Sequence, residues 1–309
     1  MVKDIVSDGL EAVEEKLHRV VESDVEVLDE ASRHIISSGG KRMRPRLLFL
    51  SYLAAGGDAL DEVVPMAAAV ELVHTATLVH DDINDHSVMR RGKITVHARW
   101  GRTFALLTGD YLFTKVYEMM APYGARMNTI MADATVALVE GETLQAAAAK
   151  SGEINRETYK KIIARKTASL FRASAEMGSL IAGADEDTVA NLSEYAHNLG
   201  LAFQIVDDLL DIVGDPDVLG KPVGADVTQG VGAVALQNGK EARAAVAEAE
   251  ADPLQQMMVS LRESGAVEVA RAEAEELAQR ARRALYQVPP SPARDALEEL
   301  IDQVLERQR

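Results

Sequence analysis

The chain has 309 residues, 47% of them apolar, no cysteine and a formal net charge of −16. The lack of cysteine excludes disulfides, thiolate metal sites and cysteine nucleophiles, and an acidic chain without a basic stripe is unsuited to binding nucleic acid. No apolar run approaches the roughly 18 residues that a membrane span needs, and the first ten residues include acids, so we expect no membrane span and a cytoplasmic location.

The first part of the chain is predicted to be a series of helices. Apolar residues recur at a helical period from Val2 to Val21, and a second helix is expected from about Val25 to Ser37. A helix from about Leu60 should carry the residues up to Asp85. After a loop at His86 to Gly101, another helix should run from Thr103 to about Met120.

The rest of the chain continues this helical pattern. Between Gly124 and Asp215 there is no proline, and helix breaks are expected at Ser151-Gly152 and Gly183-Ala184. The segment from Glu241 to Arg309 is rich in alanine, glutamate and arginine. Neither an alternating strand pattern nor a domain linker is evident. The sequence therefore predicts one all-α domain over residues 1–309, a bundle of about ten helices.

An acidic cluster follows an apolar helix. Asp81 and Asp85 are four residues apart, so they share one face of a helix, and Asp82 lies beside them. Like charges at this spacing repel each other unless a cation lies between them. A divalent metal would supply that cation.

The same pattern returns far downstream. Phe203 to Val213 reads FQIVDDLLDIV and repeats the spacing with Asp207, Asp208 and Asp211. Carboxylates within an apolar helix must be neutralised, paired or bound to a metal. Two such sets facing each other would suit Mg²⁺, which prefers oxygen ligands and keeps open positions for phosphate oxygens.

A glycine-rich basic turn precedes both acidic motifs. Ser37 to Pro45 reads SSGGKRMRP, with a proline suited to the first turn of the next helix. Glycines let a backbone approach an anion closely, and Lys41 and Arg44 add a point charge and a bidentate guanidinium. A cavity that binds two anionic substrates fits these features.

Together these motifs resemble those of the all-trans polyprenyl diphosphate synthases. HDDINDHSVMRRG is similar to the first aspartate-rich motif of that family and FQIVDDLLD to the second, in that order after GGKRMRP. The resemblance runs from Gly39 to about Gly230. It implies an isoprenoid synthase fold with a central cavity, a homodimer, and Mg²⁺-dependent head-to-tail condensation of isopentenyl diphosphate with an allylic diphosphate to give a lipid-like product.

The resemblance also implies roles for single residues. Isopentenyl diphosphate would be held by Lys41, Arg44, His74 and Arg91. Mg²⁺, and through it the allylic diphosphate, would be held by Asp81, Asp82, Asp85 and Asp207, with support from Asp208 and Asp211. The allylic diphosphate would be bound directly by Arg90, Lys166 and Lys221, and the pocket near the forming carbocation would be lined by Thr167 and Gln204.

The chain departs from the family pattern after the second motif. Gly230 to Ala233 reads GVGA where the family commonly carries Gly-Lys-x-Thr, and Ala225 replaces a residue that is often polar or basic. The loss of one cation should weaken allylic diphosphate binding by about 1 to 3 kcal/mol if the contact is desolvated. We expect reduced affinity, and a non-catalytic or low-activity subunit stays an alternative.

Product length is predicted from helix geometry. On a helix that ends at Asp81, the residues four and five positions earlier, Thr77 and Ala76, point along the path of the growing chain, and Val73 or Leu72 lies one turn further. The two nearer side chains are small, so the path stays open. We expect a product of twenty carbons or longer.

Two rival interpretations come from other classes of protein. Glu71 to His74 and Glu194 to His197 are ExxH strings, typical of di-iron carboxylate bundles, but this interpretation leaves both acidic motifs unexplained. A terpene cyclase would share the first acidic motif. It has no need for a second diphosphate site, so the basic turn argues against it.

Overall fold

The structure is a computed structural model that describes residues 2–151, 155–213 and 265–306. These residues are almost entirely helical, which confirms the all-α class. The helices of the described residues are α1 (Val2–Val20), α2 (Glu26–Ile36), α3 (Met43–Ala54), α4 (Val64–Asn84), α5 (Val96–Trp100), α6 (Arg102–Met120), α7 (Ala125–Ser151), α8 (Arg156–Ile163), α9 (Ser169–Ile181), α10 (Glu186–Val213), α11 (Ala266–Leu285) and α12 (Pro292–Glu306).

Four short elements depart from the predicted pattern. The expected loop at 86–101 contains α5 and an antiparallel hairpin of β1 (Met89–Arg90) and β2 (Lys93–Ile94). A 3-10 turn at Leu60–Glu62 precedes α4, and a π-helical turn at Ala164–Ala168 separates α8 from α9. Strands of two residues are too short to show alternation, so the sequence could not predict the hairpin.

The described residues form two compact units. Unit 1 comprises residues 1–133, 173–190 and 288–296, and unit 2 comprises residues 134–172, 191–287 and 297–309. The expectation of a single domain over the whole chain stays a prediction. In the described part of the chain no helix is long and apolar enough to cross a membrane, and the expected cytoplasmic location is not tested.

In unit 1, α4 is the central helix. It packs against α1, α3 and α6, and most of its residues from Val64 to Val79 are buried. A helix that is apolar on all sides can be stable only when other helices surround it. The packing of α4 thus fixes the position of its C-terminal end, which carries the acidic motif.

A buried arginine joins the basic turn to the core of unit 1. Arg42, only 6% exposed, donates to both carboxylate oxygens of Glu14 on α1, to Glu71 on α4 at 2.8 Å, and to the carbonyl of Ile36 at 3.2 Å. Its backbone is left-handed, with φ of 46°. Nothing in the sequence distinguishes Arg42, although it lies between Lys41 and Arg44, the two cations predicted to bind an anion.

In unit 2, polar contacts join α8 to α11 and α10 to α12. Glu273 on α11 is bound by Arg156 and Lys160 of α8. The hydroxyl of Tyr195, a fully buried side chain on α10, donates to the carbonyl of Leu297 at 2.7 Å. These contacts hold α8, which leads into the π-helical turn, and α10, which packs against that turn.

We expect Arg42→Met to lower the free energy of unfolding by about 3 to 5 kcal/mol, because it leaves the buried carboxylate of Glu71 without its counterion. Denaturant unfolding would measure the loss. Arg19→Met is the matched control, since the Arg19–Glu15 pair is 69% and 75% exposed, and its cost should stay below about 1 kcal/mol. Equal costs for the two variants would contradict this role of Arg42.

Candidate active site

The first acidic motif lies at the C-terminal end of α4, as predicted. Asp85 caps the helix, and its backbone N–H donates to the carbonyl of Asp81 at 2.8 Å. Asp81 is partly exposed and Asp85 is exposed, whereas Asp82 is 1% exposed. The motif therefore presents two of its three acids to the outside of unit 1 and turns the third inwards.

The inward acid, Asp82, pairs with the hairpin. Its Oδ1 accepts a hydrogen bond from Arg90 Nε at 2.8 Å, and its Oδ2 is buried without a hydrogen-bond partner among the described residues. Burial raises the pKa of Asp82, and the charge of Arg90 opposes that rise. Arg90, predicted to bind the allylic diphosphate, is thus also the counterion of Asp82.

The remaining acids of this motif fit a divalent metal in their chemistry. Asp81 and Asp85 offer hard oxygen donors one helical turn apart, and both are accessible. Within the described ranges, no three of the histidine, aspartate and glutamate side chains are grouped closely enough to hold a metal ion. Further ligands would therefore have to complete the coordination of an ion bound at these two acids.

The hairpin contacts the basic turn through its cations. Arg91 Nη1 donates to the carbonyl of Gly39, and a side chain at Gly40 would collide with the guanidinium of Arg91. Lys93 Nζ donates to the carbonyl of Ser37 at 2.7 Å and to its hydroxyl at 3.1 Å. The two segments that the sequence marked as basic are therefore neighbours.

His74 lies within the electrostatic field of these cations. Burial lowers the pKa of His74 well below its ordinary value, and the positive charges of Arg44, Arg91 and Arg90 lower it further. The imidazole is therefore neutral at neutral pH. Of the four residues predicted to hold isopentenyl diphosphate, Arg44 and Arg91 thus lie close enough to His74 to affect its pKa, while Lys41 is exposed on the turn.

The predicted chain-length residues are buried in α4. Val73 and Ala76 are fully buried and Thr77 is 8% exposed, with its hydroxyl donating to the carbonyl of His74 at 2.8 Å. Glu71, the acid of the first ExxH string, is buried against Arg42. An acid neutralised in this way needs no metal, so the contact gives no support to a di-iron site.

In unit 2 the π-helical turn is packed between two glycines. A Cβ at Gly141 of α7 would lie 2.7 Å from the backbone nitrogen of Lys166, and a Cβ at Gly200 of α10 would lie 2.9 Å from the Cα of Ala168. The backbone N–H of Ser169 reaches the carbonyl of Ala164, the wide turn that defines π geometry. Neither glycine was recognised from the sequence, whose pattern predicted no helix break between Ser151-Gly152 and Gly183-Ala184.

The turn carries two of the predicted site residues. Lys166 Nζ pairs with Glu142 at 2.7 Å and donates to Gln145 at 3.3 Å. Thr167 is buried, and its hydroxyl donates to the amide oxygen of Gln204 on α10 at 2.7 Å. The structure therefore brings Thr167 and Gln204 together, as expected for residues that line one pocket.

The second acidic motif lies on α10 in the same unit. Asp207 is partly exposed, and Asp208 and Asp211 are 6% and 1% exposed. Asp208 accepts hydrogen bonds from Gln204 Nε2 at 2.8 Å and from the hydroxyl of Tyr159 at 2.5 Å. Tyr159 was not predicted as a site residue, because a lone tyrosine on a helix carries no distinguishing sequence pattern.

The other predicted features after the second motif lie outside the described residues. These are Lys221, the Gly214 to Gly230 loop and the departures at Ala225 and Val231.

The matches to known proteins cover most of the chain. The sequence model described as "Polyprenyl synthetase" matches residues 25–264. The chain belongs to the polyprenyl synthetase family. An octaprenyl diphosphate synthase of Escherichia coli, a relative within this family, is 33% identical over 319 residues, which cover 100% of this chain and 98% of that protein.

Two further relatives add detail. Component 2 of a heptaprenyl diphosphate synthase from Geobacillus stearothermophilus is 42% identical over 226 residues, covering 73% of this chain and 70% of that protein. The crystal structure of a polyprenyl synthase from Caulobacter crescentus, complexed with calcium and isoprenyl diphosphate, matches with a TM-score of 0.91 and 34% identity, covering 100% of this chain and 97% of that one. These relatives place this polyprenyl synthetase family member among proteins named for prenyl diphosphate synthesis.

We expect Gly141→Ala to displace the π-helical turn, because the added methyl group would meet the backbone of Lys166. Overpacking of this kind costs about 1 to 3 kcal/mol, whereas alanine in a free helix would gain about 1 kcal/mol. The melting temperature should fall, and amide exchange at Ala164–Ala168 should become faster.

Gly124→Ala is the control for this substitution, since a Cβ at Gly124 meets no atom within 4 Å. A rise in melting temperature for Gly141→Ala would show that the helix has room for the methyl group.

Proposed function

We propose that this protein is a prenyltransferase that condenses isopentenyl diphosphate head-to-tail with an allylic diphosphate. The product is an all-trans polyprenyl diphosphate of twenty carbons or longer. The C–O bond of the allylic diphosphate breaks, the alkene of isopentenyl diphosphate attacks the resulting cation, and the released diphosphate accepts the proton that is lost. Family membership over most of the chain supports this proposal.

The observation that carries the proposal is the way the hairpin cations are held. Arg91 and Lys93 donate to the carbonyls of Gly39 and Ser37, which are neutral acceptors. Their positive charges are therefore positioned without being cancelled by a carboxylate at those contacts. Arg42, in contrast, is paired with two acids and is structural. Positioned cations beside His74 and Arg44 are suited to binding the diphosphate of isopentenyl diphosphate.

A divalent metal is the second requirement. We propose Mg²⁺, with Asp81 and Asp85 as candidate ligands in the first motif and Asp207 as a candidate ligand in the second, because carboxylate oxygens suit this ion. The calcium in the related Caulobacter structure supports a role for a divalent cation. When bound, the metal stabilises negative charge on the departing diphosphate. Asp82, Asp208 and Asp211 are buried and are better placed to support the ligands than to replace them.

The side chains of unit 2 bind and orient the allylic substrate under this proposal. Lys166 supplies a cation for its diphosphate, and Thr167 and Gln204 are fixed to each other by a hydrogen bond. Fixed dipoles near a developing cation stabilise it without the cost of reorientation. Lys221 is proposed as a further cation for this diphosphate.

The assembly state is part of the proposal. A homodimer is expected, and Phe104, Leu106 and Leu107 of α6 remain 42%, 42% and 50% exposed, which fits a face that a second subunit covers. The similarity to a protein named component 2 favours a second candidate function, a subunit that needs another component for activity.

An assay of the purified protein tests the proposal. With Mg²⁺, labelled isopentenyl diphosphate and a short allylic diphosphate, we expect label in the lipid fraction, and Asp81→Ala should reduce the rate by about 10²-fold or more. Light scattering on the same sample would give its mass. A protein that binds both substrates but forms product only with an added component would support the second candidate. Neither binding nor product with any allylic primer would disprove the proposed function.

We expect Ala76→Phe to shorten the product by one or more isoprene units, because the ring would fill the path of the growing chain. The measurement is the chain-length distribution of the dephosphorylated products. Leu78→Phe adds a similar bulk to the same helix on a different face, so its product lengths should match those of the unmodified protein. An unchanged distribution for Ala76→Phe would exclude this residue from the chain-length floor.

A further inference from the structure

Asp208 has both carboxylate oxygens engaged by side chains of unit 2. Oδ2 accepts the hydroxyl proton of Tyr159 at 2.5 Å, and Oδ1 accepts from the amide nitrogen of Gln204 at 2.8 Å. Asp208 is 6% exposed and Tyr159 is 1% exposed. Hydrogen bonds to an ionised carboxylate are about twice as strong as neutral ones. The two donors hold the Asp208 carboxylate in one orientation, and its burial leaves little of it accessible to a metal ion.

The hydrogen bond to Asp208 also determines how the Gln204 amide is oriented. Because the carboxylate can only accept from a donor, it must face the amide nitrogen of Gln204. The amide oxygen then points to Thr167, whose hydroxyl donates to it at 2.7 Å. Tyr159, Asp208, Gln204 and Thr167 thus form one continuous line of hydrogen bonds, in which each member fixes the orientation of the next.

The line begins and ends on adjoining segments of the chain. Tyr159 belongs to α8, which continues directly into the π-helical turn that carries Thr167. Asp208 and Gln204 lie one turn apart on α10. The four side chains therefore join α8, the π-helical turn and α10, and a change at Tyr159 should reach Thr167 both through the backbone and through Asp208.

We propose that Tyr159 and Asp208 are a positioning pair for the allylic pocket and that Asp208 is not a metal ligand. The Tyr159 hydroxyl holds Asp208, Asp208 orients the amide of Gln204, and Gln204 orients the hydroxyl of Thr167. This inference rests on the proposed function, since Thr167 and Gln204 have a catalytic meaning only if they line the allylic pocket. The two adjacent acids then have different roles: Asp207 binds the metal, and Asp208 positions Gln204.

Tyr159→Phe tests the pair with the loss of one oxygen atom. A small misplacement of pocket residues can cost about 10²-fold in rate, so we expect kcat/KM for the allylic substrate to fall by about 10- to 100-fold. The KM for isopentenyl diphosphate should be unchanged. The double variant with Asp208→Asn should be no slower than the slower single variant, because both changes break the same line.

Tyr195→Phe is the matched control for stability. Tyr195 is also fully buried on α10, and its hydroxyl donates to the carbonyl of Leu297, outside the line. Both variants lose one buried hydrogen bond, so both should lower the melting temperature. Only Tyr159→Phe should change the allylic kinetics.

Calorimetry gives a second readout that does not depend on turnover. With a non-reactive allylic diphosphate analogue, Asp208→Asn should keep the Mg²⁺ affinity of the unmodified protein, and Asp207→Asn should weaken it. Equal weakening by both variants, or identical allylic kinetics for Tyr159→Phe and Tyr195→Phe in an active enzyme, would overturn the positioning pair alone. An unmodified protein that neither binds the analogue nor forms product would overturn the proposed function together with the pair.

Discussion

The packing of helices in unit 1 depends on the contacts of the buried Arg42 guanidinium. This guanidinium joins α1 through Glu14, α4 through Glu71 and the end of α2 through the carbonyl of Ile36. Because Arg42 is part of the basic turn, the same contacts fix the position of that turn relative to α4. The hairpin then docks on the turn through Arg91 and places Arg90 against Asp82. A structural ion pair in the core thereby determines the geometry of a surface predicted to bind diphosphate.

A comparable dependence holds in unit 2, where backbone packing replaces charge. The π-helical turn exists where α7 and α10 can approach it without side chains, at Gly141 and Gly200. A π turn aligns its residues differently from a regular helix, and here it brings Thr167 to Gln204. In this unit, the geometry of the candidate site depends on the lack of a Cβ atom at Gly141 and Gly200.

The all-α class and both acidic motifs could be predicted because their signals are local. A spacing of four residues puts Asp81 and Asp85 on one helical face wherever that helix lies. The burial of the Asp82 side chain could not be predicted, because it depends on the ion pair with Arg90 of the hairpin. The role of Arg42 depends on acids 28 and 29 residues away, and nothing local distinguishes it from Lys41 or Arg44. Tyr159 and Asp208 are 49 residues apart, so their contact is a property of the fold.

Under the proposed function, the ion pair between Lys166 and Glu142 affects which anions can bind at Lys166. Its ammonium group already lies 2.7 Å from Glu142, so an arriving anion exchanges one ion pair for another instead of meeting an uncompensated charge. The binding free energy is then the difference between the energy of the new ion pair and that of the Lys166–Glu142 pair. For a singly charged anion this difference is small. A ligand with several negative charges gains more because the rest of its charge remains for other cations. Under the proposed function, the Lys166–Glu142 ion pair thus lowers the affinity of this site for all anions, and most of all for monoanions.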